Sequence, residues 1–131
     1  MLPRVFWFYL GAFYLLVQSL AAMLWWGFLW FEPASRAFFR PSNAPDSVLL
    51  AFWLPDAVFF VGAALWAAKL LLRSPKSALL PLALHVGGAG YAALFCVAQW
   101  MGTGEALWGA VLMLPSLFFG GFLLWKVRSI A

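Results

Sequence analysis

The sequence predicts an all-α integral membrane protein. It reads as a single domain over residues 1–131, an antiparallel bundle of four transmembrane helices at approximately 5–31, 48–72, 77–101 and 106–125, with both termini cytoplasmic. Three observations predict this. The chain is 66% hydrophobic and only 9% charged, whereas soluble domains carry roughly a quarter charged residues and a surface this apolar aggregates in water. Four continuous apolar stretches each match the roughly 20 residues that a helix needs to cross a bilayer. The basic residues also sort by side. A transmembrane barrel would instead alternate over segments of about 10 residues.

The first stretch, Val5–Phe31, contains no Asp, Glu, Lys, Arg or His. Its opening, MLPRVFWFYLGAFYLLVQSLAA, has the early Arg4 and small-residue end of a cleavable signal peptide, but the apolar run continues through MLWWGFLWF. Signal cores run only about 7–15 residues, so a retained helix is expected. The connector EPASRAFFRPSNAPDS carries Pro33, Pro41 and Pro45 and should be irregular. A short interfacial helical turn is expected over Ala34–Phe39, with Asp46 or Ser47 as the cap of the second span. That span, apolar over Val48–Ala68, is interrupted only by Asp56. LLRSPKSALLP turns around Ser74 and Pro75. The third span, Ser77–Met101, is interrupted only by His85, and the fourth, Ala106–Trp125, carries no charge. Between them MGTGE is short, which makes spans three and four neighbours. Glu105 and Thr103 are expected to cap span four, because acids favour a first helical turn.

Arg4, Lys69, Arg73, Lys76, Lys126 and Arg128 fall on one side of a four-span layout, and only Arg36 and Arg40 on the other. The excess of Lys and Arg marks the cytoplasmic side, in a plasma or inner membrane. Glu32, Asp46, Asp56 and Glu105 lie toward the opposite side. The net charge of +4 is therefore a topology signal, and no basic patch fits nucleic acid. Trp25, Trp26, Trp30, Trp53, Trp100 and Trp108 map near one interface and Trp7 and Trp125 near the other, as in an aromatic belt. Cys96, the single cysteine, excludes an intrachain disulfide and a cysteine metal site.

Lipid tails are as apolar as leucine, so small and polar residues mark where membrane helices meet. Helical spacing groups Gly11, Tyr14, Gln18, Ala21 and Trp25 on span one. It groups Asp56, Phe60, Ala63 and Ala67 on span two, and His85, Gly88, Ala92, Cys96 and Gln99 on span three. On span four it groups Gly109, Met113, Ser116 and Gly120. These four stripes are expected to converge, which turns Asp56 inward.

An intramembrane carboxylate is costly and reads as functional by default. With centred helices, Asp56 and His85 stand roughly 12 Å apart along the membrane normal, too far for direct pairing. A polar ladder through Asp56, Gln18, Tyr91 and His85 fits those heights. Pro55, Pro81 and Pro115 each remove an amide donor and open space between helices. The candidate ligand-binding residues are Asp56, His85, Gln18, Tyr91, Trp53, Phe60 and Trp100; no catalytic set and no metal or cofactor site is legible. Gly87, Gly88 and Gly90 lack the lysine and the preceding strand of a phosphate loop, so close packing explains them.

No motif names an activity. The reading is a small polytopic membrane protein acting as an accessory or binding subunit, or as an apolar-ligand-binding protein with an intramembrane polar site around Asp56. One alternative is a membrane-embedded enzyme acting on a lipid or isoprenoid-type substrate, with Asp56 and His85 as acid/base or head-group contacts. A second is a proton-coupled transporter. The expected partners are membrane lipids, an apolar small molecule, and a membrane protein partner or a second copy of the chain.

Overall fold

Tryptophan, phenylalanine, leucine and alanine fill long uninterrupted segments, and in a medium that offers the backbone no hydrogen bonds such segments satisfy themselves as helices. A computed structural model describes residues 3–130 and contains no strand among them. Four helices are long and apolar enough to cross a membrane: α1 (Arg4–Phe31), α2 (Asp46–Arg73), α3 (Pro75–Thr103) and α4 (Leu107–Ile130). The sequence boundaries hold to within a few residues, and α4 continues past Trp125 to Ile130.

The α1–α2 connector holds a single 3-10 segment, Pro33–Phe38, close to the expected turn. Asp46 does not cap α2: no side chain caps that helix, and its carboxylate instead accepts hydrogen bonds from Arg36 and Arg40. Arg36 also donates from Nε to the Leu29 carbonyl at 2.9 Å, which ties the connector to the end of α1. Glu105 likewise does not cap α4. Its carboxylate accepts the Ser42 backbone N–H and, at 3.1 Å, the Ser42 hydroxyl. The short α3–α4 turn is thereby fastened to the α1–α2 connector. Thr103 receives the Glu105 N–H at 3.1 Å, and Gly104 ends α3 at φ 73, a conformation that favours glycine.

Helix α1 packs on the C-terminal half of α2, and α3 lies along α4. Ala64, Ala67 and Ala68 let α1 and α2 approach closely, and Leu15, Leu71, Leu82, Leu123 and Val127 fill the space around them. The large side chains Phe13, Leu24, Leu94 and Phe118 point outward, as lipid-facing residues do. The inward faces of α2 and α4 follow the expected stripes. The inward face of α1 does not. It runs through Gly11, Ala12, Leu15, Ser19, Trp26 and Leu29, rotated so that Tyr14, Gln18 and Trp25 lie at its edge and Ala21 faces out. On α3 the buried residues are Pro81, Leu82, His85, Ala89, Ala92 and Ala93, with Gly88 and Cys96 half-buried.

Candidate functional site

Pro55 lacks a backbone N–H, and the helix directly after it widens. Residues Ala57–Gly62 form a π-helical segment within α2. In a π turn the carbonyls are offset from the α-helical ladder, and such bulges commonly mark functional sites. Two consecutive carbonyls of this segment are taken by neighbouring helices. Ser19 Oγ of α1 donates to the Phe60 carbonyl at 3.2 Å, and His85 Nδ1 of α3 donates to the Phe59 carbonyl at 3.0 Å. A carbonyl only accepts, so the neutral His85 ring carries its proton on Nδ1 and presents a lone pair at Nε2. His85 is fully buried, edge-on to Phe60, and Nε2 has no partner among the described residues.

The same segment sets the approach of α3. A Cβ placed on Gly88 would stand 2.5 Å from Phe59 Cβ, which is fixed to its backbone. Only glycine permits this contact, and it brings the His85 ring within reach of the Phe59 carbonyl.

Asp56 sits at the start of the π segment and is only 7% exposed. The Trp26 indole N–H donates to its Oδ2 at 3.0 Å, the one hydrogen bond to this carboxylate among the described residues. No Lys, Arg or His pairs with it. Trp26 belongs to the buried face of α1 and not to an interfacial belt. Nothing distinguishes it in sequence from Trp25 or Trp30; the signal that finds it is its place on the Ala12–Leu15–Ser19 face.

Three cavities meet at Asp56. The first, about 220 Å³, lies between α1, α2 and α4 and is lined by Gln18, Ala21, Ala22, Trp25, Phe60, Leu112, Met113 and Ser116. Gln18 Oε1, the Trp25 indole N–H and, one turn along α1, the Tyr14 hydroxyl are buried without partners among the described residues. The second cavity is a groove of about 430 Å³ between α2 and α3, lined by Phe52, Pro55, Phe59, Phe60, Gly87, Gly88 and Tyr91 among others. The third is a pocket of about 40 Å³ under the connector, where Asp56 is joined by Trp25, Arg40, Cys96 and Gln99.

The structure thus brings together Asp56, Gln18 and Phe60 of the expected site. It does not form the polar ladder. Tyr91, 69% exposed, stands on the outer rim of the groove, and the His85 nitrogen is spent on the Phe59 carbonyl. His85 lines none of the three cavities at Asp56. Trp53 and Trp100 face outward, 48% and 40% exposed, and line none of them either. Among the described residues, no group of His, Cys, Asp and Glu side chains is arranged to hold a metal ion.

Comparison with protein-family models, with curated proteins and with solved structures finds no match for the chain.

Proposed function

We propose that the protein is an integral membrane protein that binds an apolar small molecule at a polar site around Asp56. The helices run as an antiparallel bundle, and both termini lie in the cytoplasm of a plasma or inner membrane. The distribution of Arg4, Lys69, Arg73, Lys76, Lys126 and Arg128 supports that orientation.

One observation carries the reading. A buried carboxylate borders a largely apolar cavity also lined by Gln18 and Trp25, whose amide oxygen and indole N–H are buried and, among the described residues, lack partners. Buried polar groups are ordinarily satisfied, and each left unmade costs stability. An apolar pocket with a few convergent polar groups is the usual form of a small-molecule site. An enzymatic reading asks Asp56 and His85 to face a common volume, and the separation of His85 from those cavities favours binding over chemistry.

Native mass spectrometry of protein released gently from its own membrane tests this. The expected result is a discrete added mass in the wild type that is lost in Asp56→Asn. A stable protein partner with no small molecule, unchanged in the variant, would instead make the chain an accessory subunit.

A further inference from the structure

The class of ligand follows from the charge at the site, on the reading that Asp56 marks a ligand site. We infer that the site takes a single-chain amphiphile with a protonated amine head. The ammonium lies against Asp56 in the α1–α2–α4 cavity, and the hydrocarbon tail lies along the groove between α2 and α3.

Among the described residues, the carboxylate is the only ionisable group bordering that cavity. Trp26 engages Oδ2 and no hydrogen bond reaches Oδ1. A charge in this position is stabilised by a partner of opposite sign, and none pairs with it among the described residues. Arg40, which shares the small pocket under the connector with Asp56, is committed to Asp46 and to the Pro41 and Ala44 carbonyls. Ammonium is a compact donor of three hydrogen bonds, and Asp56 Oδ1, Gln18 Oε1 and the Ser116 hydroxyl can each accept one. The Trp25 and Phe60 rings on the same wall offer faces that attract a cation. An anionic head would meet Asp56 with like charge, and an uncharged head would leave the carboxylate unpaired.

The groove accounts for the tail. Asp56 and Phe60 border both the cavity and the groove, which places the head site directly beside the tail site. The groove is nearly all apolar, and its rim residues Leu84 and Tyr91 are exposed on the outer face of the bundle. On a spanning protein that face meets lipid, so an amphiphile enters sideways from the bilayer.

Stearylamine, stearyl alcohol and stearic acid share one chain and differ only in the head. Each is titrated against wild type and Asp56→Asn in phosphatidylcholine nanodiscs, with bound probe read by native mass spectrometry. In the wild type, the amine is expected to bind about tenfold tighter than the alcohol, the scale of one hydrogen bond to a charged group. In Asp56→Asn, that preference is expected to disappear. Equal saturable binding of amine and alcohol to the wild type overturns the amine assignment and leaves the ligand-site reading standing. Tighter binding of the acid, or saturable binding of none, also overturns it, and the copurified mass then judges the ligand-site reading separately. The wild-type comparison decides even if the variant fails to fold.

Discussion

Among the described residues, Asp56 has one hydrogen-bonded partner and no counter-charge, and the two facts pull stability in opposite directions. Trp26→Phe removes the indole donor and leaves a buried carboxylate oxygen bare. A loss of about 1–3 kcal/mol is expected, the cost of stranding a buried polar group. Asp56→Asn keeps an acceptor for the indole and removes the unpaired charge, so unfolding in mixed micelles should show it neutral or stabilised. In the double variant, the cost of Trp26→Phe should shrink. If Asp56→Asn proved the more damaging of the two, the carboxylate would be a structural keystone and not a ligand contact. At this scale the sequence was half legible. A lone acid in an apolar run declares itself, whereas its partner is one of nine tryptophans. Ser19 was hidden for a similar reason. A serine in a membrane helix most often bonds its own backbone, as Ser19 also does at the Leu15 carbonyl.

The spans of the four helices were readable because hydropathy and length decide them; the rotation of α1 was not. Gathering its polar residues selected Gln18 and Tyr14, but the helix buries Leu15 and Leu29 and leaves those two at the margin. Shape governed the choice: Ala12 and Leu15 fit against the alanines of α2. Pro55 signalled a distortion, but its π form depends on two donors from other helices, which no local pattern encodes. The α2–α3 approach yields a paired prediction. Gly88→Ala forces Phe59 and the π segment away from α3 and should cost about 1–3 kcal/mol, as overpacking does. Gly87→Ala meets nothing within 4 Å and should be neutral or slightly stabilising. Thermal unfolding of the two variants side by side checks this, since equal effects would mean that Gly88 is not a contact point.

For the whole molecule, the sorting of basic residues makes a prediction about sidedness. In a Cys96→Ala background, single cysteines at Ser42 and Ser74 should label from opposite sides with a membrane-impermeant maleimide. Ser74 should react only after the cytoplasmic face is opened, and Ser42 in intact cells. Labelling of both from one side would refute the four-span layout. The four long apolar helices were the most legible level because a composition this poor in charge argues against a soluble fold and the chain holds four runs of spanning length. The cavities were the least legible, since empty space is set by which side chains fail to meet.

The Ser42–Glu105 link joins the first and third connectors, and α2 meets α3 about as extensively as it meets α1. The turn at Ser74–Pro75 divides the chain into two helix pairs, α1 with α2 and α3 with α4, that are held together by side-chain contacts across the α2–α3 seam and by that single turn. That turn is dispensable if each pair enters the membrane by itself. Coexpressed as separate polypeptides, residues 1–74 and 75–131 should find each other and copurify. Glu105→Ala should weaken the reunion more than it weakens the intact protein, where the peptide bond keeps the halves at high effective concentration. Covalent continuity would then be a convenience of synthesis, and recognition between the halves would reside in the polar clasp and the Gly88–Phe59 contact.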